Sequence, residues 1–505
     1  MIVVIGSGLA LALAAGYLSA SPMPGALQAV VTMVVLLMLF LVVLVRATAG
    51  IMLFLCLIPF LGLARRVLLT VSPVPADPLL LVIPSFTFVL FLALTITYRQ
   101  RAHALLRQSL TARLLALLLA VFVLQIANPL QGSLVVGLGG VLYYVAPLCW
   151  FFIGGVLLRP AQINGVITIF LIASSLAALY GLMQTYAGLP GYDLQWALNA
   201  ANGYSALYVS AGSIRAFGPM SSASEYTVFI GTAFLACTTA LIYRARIIYA
   251  VLAAILLLAL LLESSRGALI ISAITLLVMV TLRQRSRRLA VLLLAIILAA
   301  GAAAYALISP GTLDTGAGSG AMASLIAHDV NGLAHPFDST YSTGSLHLQE
   351  ILAGFARAIE NPLGYGLGST TQASAKFSGT ALTAEIDIVD VFTAGGVLAG
   401  ALYLIVLVRT LRAACSLTFH AREPRDAVVT AILLGSVSGT LAGGHYAFMP
   451  FIWLFMAYID QRVLAYRAAG NQPGLLDPAS LPGQRAGIAV GSRTLSAAYS
   501  RRLSP

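Results

Sequence analysis

Residues 248–282 read IYAVLAAILLLALLLESSRGALIISAITLLVMVTL. Two long apolar runs flank a short polar turn, Glu263-Ser-Ser-Arg266-Gly267. Runs this apolar and roughly this long cross a bilayer as helices, because a helix satisfies its own backbone polar groups where no water is present. The pattern recurs along all 505 residues, of which 60% are hydrophobic and only 9% charged, with a mean hydropathy of +0.98. A soluble fold does not need such a composition. The expected fold is all-α, a polytopic membrane protein of about 14 transmembrane helices. Candidate spans fall at roughly 2–20, 25–45, 50–64, 79–97, 114–127, 134–157, 161–187, 225–243, 248–263, 267–282, 289–308, 388–408, 427–442 and 446–465. The first run, Ile2 to Leu18, lacks a basic leading region and runs straight into another apolar stretch, so it reads as a retained span.

The net charge of +12 is distributed as an orientation signal, which argues against nucleic acid as a partner. Arginines crowd short loops: Arg99, Arg101, Arg107 and Arg113; Arg244 and Arg246; Arg283, Arg285, Arg287 and Arg288; Arg409, Arg412, Arg422 and Arg425. Threading the spans alternately puts both termini in the cytoplasm and leaves all but six of the 28 basic residues inside. The six are Arg65, Arg66, Arg215, Arg266, Arg357 and Lys376. All but four of the 16 acidic residues then lie outside or near outer span ends, the four being Glu423, Asp426, Asp460 and Asp477. The chain divides into N-terminal spans (1–187), a first outward loop (188–224), core spans (225–308), a large outward loop (309–387), C-terminal spans (388–466) and a disordered cytoplasmic tail (467–505), rich in Gly, Pro, Ser and Arg. The four cysteines, Cys56, Cys149, Cys237 and Cys415, indicate no disulfide framework. No nucleotide-binding loop is present.

The large loop holds His328, His335 and His347, and with the start of the next span it holds Glu350, Glu360, Glu385, Asp387 and Asp390. A loop of this length is functional or a solvated connector. Within it Leu348, Ile351, Leu352, Phe355 and Ile359 recur at helical spacing, and Asn361-Pro362-Leu-Gly364-Tyr-Gly366-Leu-Gly368 follows. This reads as a short amphipathic helix, lying at the membrane surface or packed on the spans, ended by a glycine-rich turn.

Ionisable groups beside spans are costly and mark function. Arg215 and Arg266 stand on the outward side, where the charge rule disfavours them. Two guanidinium forks at one membrane face suit the diphosphate of a lipid-linked donor. The plainer reading pairs Arg266 with Glu263, and Arg215 with Glu225. Glu385, Asp387 and Asp390 open the twelfth span. If that start is helical, Asp387 and Asp390 share a face; if extended, Glu385 and Asp387 do. A carboxylate there serves as a general base or as favourable helix N-terminal charge. Glu225, His347 and His445 are candidates for substrate binding. His328 and His335 lack zinc-site spacing, and neither a metal nor a cofactor is expected.

These residues together resemble the O-antigen polymerase/ligase superfamily, especially its exopolysaccharide repeat-unit polymerases. Glu263-Ser-Ser-Arg266-Gly-Ala-Leu-Ile270 is similar to the entry of that family's core. Ile359-Glu-Asn-Pro362-Leu-Gly-Tyr-Gly366-Leu-Gly368-Ser resembles its glycine-rich segment, and Glu385 to Tyr403 its following helix. Ile214-Arg215-Ala-Phe217-Gly218 through Glu225-Tyr226 resembles an upstream arginine motif. Ligase-type members often carry a histidine where Glu385 stands here, a departure that leaves the base among Glu385, Asp387 and Asp390. The resemblance implies a metal-independent, inverting glycosyltransferase of the bacterial inner membrane. It would polymerise oligosaccharide units linked to undecaprenyl diphosphate at the periplasmic face, with Arg215 and Arg266 on the diphosphate. It implies membrane lipids, a chain-length regulator and export proteins as partners. The alternatives are transfer of the glycan to a lipid or protein acceptor, and transport of a lipid-linked sugar.

Overall fold

The apolar runs form the helices expected of them. The computed structural model describes residues 26–71, 78–200, 208–209, 213–263, 265–284, 344–378, 381–382, 386–437, 439 and 447–468. The first helices are α1 (Ala26–Val45), α2 (Ala47–Leu57), α3 (Leu61–Val71), α4 (Val82–Thr97), α5 (Arg99–Gln108), α6 (Leu110–Gln125), α7 (Leu134–Leu157) and α8 (Ile163–Ala187). Then come α9 (Gly191–Ala200), α10 (Ala223–Arg244), α11 (Ile247–Leu262), α12 (Arg266–Gln284), α13 (Gly344–Glu360) and α14 (Gln372–Ser378). The last are α15 (Asp387–Ala421), α16 (Pro424–Gly435) and α17 (Met449–Ala468). Serine side chains start several of them by accepting an otherwise orphaned amide: Ser109 from Ala112 at α6, Ser133 from Val136 at α7, and Ser222 from Glu225 at α10. Among the described residues, the strands are a two-residue antiparallel ribbon, Tyr208–Val209 on Ser213–Ile214, between α9 and α10.

Among the described residues, eight helical segments are long and apolar enough to cross a membrane, and the pair α5–α6, bent by 106°, makes a ninth if counted as one span. The chain is a helical, multi-pass membrane protein. The eight coincide with the expected spans near 25–45, 50–64, 79–97, 134–157, 161–187, 225–243, 267–282 and 388–408. The count of about fourteen is therefore met only in part, for physical reasons. The span expected at 114–127 is the second arm of the bent pair, and α11 is a shorter apolar helix. The span expected at 427–442 is the 12-residue α16. The one expected at 446–465 is α17, which carries Asp460, Arg462 and Arg467. Expected spans 2–20 and 289–308, and the tail from 469, lie outside the described residues.

Helix α17 is the centre of the bundle. Every residue from Met449 to Ile459 is buried, and the helix packs against α7, α8, α15 and α16. A stretch as apolar on all sides as Met449–Ile459 belongs in such a place. Phe170 of α8 lies 5.3 Å from Phe451 and 5.1 Å from Phe229 of α10, tying three helices together. A second aromatic stack, Phe54–Phe86–Trp150, joins α2, α4 and α7, and the Trp150 indole donates to Thr87 Oγ1 at 3.0 Å.

The bundle has two distinct ends. At one end, Arg462 forks onto Asp426 with bonds of 3.1 and 2.8 Å, Tyr458 donates to the same carboxylate, and Arg425 and Arg462 reach Glu423. Two of the four acidic exceptions to the charge pattern are thus neutralised by arginines. The opposite end carries the two irregular segments around residues 215–222 and 361–371.

There the chain breaks α15 with a glycine clasp. Gly396 sits at φ +77 inside the helix. In an unbroken helix the Thr393 carbonyl would take the Val397 amide. Here Val397 N–H donates to Pro362 O at 3.0 Å, while the Thr393 and Ala394 carbonyls accept from Tyr365 and Gly366 at 2.9 and 3.0 Å. Gly364, at φ +88, lies so close that a Cβ would stand 2.5 Å from Gly396 N. The other side of the 361–368 turn is held by α6 and the turn after it. Gln125 Nε2 donates to Leu363 O at 2.7 Å, Asn128 Nδ2 to Gly364 O at 2.9 Å, and Gly368 N to Gln131 Oε1 at 3.0 Å.

Gly396→Ala places a side chain 2.3 Å from Pro362 O at a left-handed φ. We expect it to destabilise the protein by about 2–4 kcal/mol, combining left-handed strain with a clash. Gly191→Ala, where a Cβ meets nothing within 4 Å, is the control expected to change the midpoint of thermal unfolding little.

Candidate functional site

The segment from Arg215 to Ser222 leaves regular structure before α10 begins, and its backbone is held almost entirely by buried side chains. Arg66, midway along α3, supplies two of these bonds. Its Nε donates to Asp193 Oδ1 at 2.6 Å, with both side chains 0% exposed. Its two terminal nitrogens donate to the carbonyls of Met220 and of Gly218, the latter at 2.7 Å. The guanidinium also lies over the Phe217 ring at 4.8 Å. Asp193, in the first turn of α9, accepts in addition from Tyr180 Oη at 2.8 Å and Gln184 Nε2 at 2.7 Å. The Gln184 carbonyl then takes the amides of Phe217 and Gly218 at 3.1 and 2.8 Å. Arg65 Nη1 donates to Ser221 Oγ at 2.9 Å and lies 5.3 Å over the Trp196 ring, whose indole donates to Ser221 O.

Two charge exceptions, Arg65 and Arg66, therefore have a structural use. The charge pattern singled them out without saying what they hold. Asp193 and Gln184 gave no comparable signal, since neither the lone acid of the loop nor a glutamine within an apolar run shows its partner.

Arg215 stands at the start of this braced segment. Its Nε lies 3.8 Å from Glu263 Oε1, at the end of α11. Three residues on, Arg266 opens α12. The pairing given by the geometry is thus Arg215 with Glu263, instead of Arg215 with Glu225. The Glu225 carboxylate, 2% exposed, accepts from the amides of Ala447 at 2.7 Å and Ser221 at 3.4 Å. It ties the start of α17 to the braced segment and lies within the protein, away from any open surface.

The acidic candidates lie at the same end. Asp387 and Asp390 occupy the first turn of α15, so of the two arrangements the helical one holds, and both face inward at 3% and 1% exposure. Tyr403 Oη, one long stretch down the same helix, lies 3.5 Å from Asp387 Oδ2. Tyr144 of α7 lies within electrostatic reach of both acids, and its hydroxyl is 2.5 Å from Thr370 Oγ1 in the segment after the clasp. Helix α12, which Arg266 opens, packs against α10, α15 and α16. Both α12 and α15 start at this end, so the arginine and the carboxylates open adjacent helices. His347, on α13, is nearly half exposed and lies 3.6 Å from Glu350 Oε2. Glu385, His445, His328 and His335 lie outside the described residues.

This arrangement offers planar cations near an acidic helix start, with the chain around them fixed by buried hydrogen bonds. Guanidinium groups are of a kind that suits an anion, and carboxylates of a kind that suits a proton. No protein-family model matches the chain, and no curated protein matches it in sequence.

Removing one member of a buried, hydrogen-bonded ion pair leaves an uncompensated charge. Arg66→Met and Asp193→Leu should each cost about 3–5 kcal/mol in thermal or denaturant unfolding of the purified protein. The double variant should cost less than the sum, because neither charge is then stranded.

Proposed function

We propose that the chain is an integral-membrane glycosyltransferase that polymerises oligosaccharide units carried on a polyprenyl diphosphate, as its motifs suggest. The observation that carries this reading is Arg215 standing against Glu263, in the turn that leads into Arg266. Arg215 is thereby held beside the turn from which Arg266 opens α12, and α15 starts with its two inward carboxylates at the same end. In this reading the chain crosses the bacterial inner membrane about fourteen times. Both termini are cytoplasmic, and residues 309–387 form the periplasmic loop. The contacts between distant residues support that threading. Arg66 with Asp193, Arg215 with Glu263, and Glu225 with Ala447 all join positions threaded to the outer side. Asp426 with Arg462, and Arg409 with Thr111, join positions threaded to the inner side.

The reaction needs no nucleotide, because the donor brings its own leaving group. An acceptor hydroxyl oxygen attacks the anomeric carbon and forms the new glycosidic bond as the bond to the diphosphate oxygen breaks. The electron pair goes to the lipid diphosphate, and the configuration at that carbon inverts. Arg215 and Arg266 stabilise the charge that develops there. The hydroxyl proton passes to Asp387 or Asp390. The bracing of residues 217–221 matters here, since a cation held in place before the reaction stabilises the transition state without reorganising. Pairing with Glu263 holds Arg215 ready for an anion, which would compete with that carboxylate for the guanidinium.

The test is to incubate the purified protein with lipid-linked repeat units and read the product as a ladder of chain lengths. Arg215→Ala and Arg266→Ala should each lower polymer formation by about 10²–10³-fold, the loss seen when one preorganised donor to a developing anion is removed. Both variants should remain folded by thermal unfolding. Replacement by lysine keeps the charge but not the fork, and should recover only part of the rate. A wild-type protein that yields no ladder from competent substrate, or an Arg266→Ala variant with normal chain lengths, overturns the reading.

A further inference from the structure

From Leu348 to Glu360, helix α13 divides into three sectors. Gly354 and Ala358 face the bundle and are buried. Gly354 approaches α15 so closely that a Cβ would stand 2.1 Å from Val389 Cγ1, and Thr393 Oγ1 donates to its carbonyl at 3.4 Å. About 100° around the helix, at the 3.6-residue period, lies a stripe of Leu348, Leu352, Phe355 and Ile359. These are 48%, 62%, 37% and 76% exposed. The third sector carries Gln349, Ala353 and Glu360, with Arg357 at its edge donating to Leu382 O at 2.9 Å. Small residues thus seat the helix on the protein, and the large apolar ones face away from it.

We propose that this stripe is immersed in the acyl layer of one membrane leaflet, so that α13 runs along the membrane boundary. A transmembrane placement is excluded by the polar sector, which extends from Gln349 to Glu360 and would be carried into the hydrocarbon. Exposure to water is disfavoured by four large apolar side chains in one contiguous row. The stripe instead continues a surface that already faces lipid. Phe355 meets Phe392 of α15 edge to face at 5.5 Å, and beyond it Val397 and Leu398 of that spanning helix are exposed at 43% and 56%. An apolar face in the acyl layer, with polar residues on another face, is how an interfacial helix partitions. Because the 361–368 clasp follows α13 directly, the same immersion fixes the depth of Asp387 and Asp390 at the edge of the hydrocarbon. This inference requires only that the protein sits in a membrane and stands apart from the reaction it performs.

Spin labels provide the test. The four native cysteines are replaced, single cysteines are placed at 348, 352, 355 and 359 or at 349, 353 and 360, and each full-length variant is reconstituted in phospholipid vesicles. Collisions with oxygen, which concentrates in hydrocarbon, should exceed collisions with a water-soluble nickel chelate several-fold at the first set and fall below them at the second. Equal nickel access at both sets overturns the proposal by showing the stripe in water. Stripe labels reached by neither reagent overturn it by showing a protein occupant, either a second copy or another segment of this chain. If the cysteine-free chain does not fold, a photo-crosslinking amino acid replaces Leu352 or Gln349 in the otherwise native chain. The expected adduct at 352, and not at 349, is phospholipid; peptide adducts at 352 overturn the proposal.

Discussion

Backbone that leaves a helix within a membrane protein must find its hydrogen-bond partners in the protein itself. The two irregular segments at the candidate site both obey this constraint, by different means. Residues 217–221 are satisfied by side chains: Gln184 takes two amides, Glu225 a third, and Arg66 and Trp196 cover three carbonyls. Residues 361–368 are satisfied largely by backbone released from the break in α15, with glutamine and asparagine side chains completing the set. The first device imports charge and the second imports flexibility. Both end with a non-helical strip of chain held in place by hydrogen bonds from residues distant in sequence.

The charge required by the first device sets its own conditions. A guanidinium without water needs hydrogen-bond partners in the protein and a counter-ion for its charge. Arg66 meets both demands through Asp193 and two carbonyls, and the planar fork suits such a divided task better than an ammonium would. The same logic operates at the far end, where Asp426 is held by Arg462 and Tyr458. Such pairs add little net stability over apolar packing, yet removing one partner is costly because the other charge is left buried.

Much of this was legible in the sequence. The eight long apolar helices follow from composition alone, and the helical stripe of α13 and the turn at Asn361–Gly368 were readable from spacing and from glycine and proline. Arg65 and Arg66 stand out as violations of the charge pattern, and a helical start to α15 gives Asp387 and Asp390 a shared face. The partners were not legible. Nothing local to Gly396 says that a turn some thirty residues earlier will enter the helix there, nor does anything local to Gln184 say that it will serve the chain at Phe217. Proximity in sequence pairs Arg215 with Glu225, whereas the fold brings it to Glu263. Periodicity reports what one helix does with its own faces; long-range hydrogen bonds depend on which helices become neighbours.

The placement of α17 bears on how the protein is made. It is the last described helix, yet it occupies the middle of the bundle and touches α7 and α8. Residue 449 emerges about 290 residues after the end of α7, which at ribosomal rates of about 5–20 residues per second is on the order of 15–60 s. Throughout that interval the helices already inserted surround a vacancy where their innermost contact surfaces will be. Those surfaces must be occupied meanwhile by lipid or by an insertion factor, and the native bundle closes only when its keystone arrives.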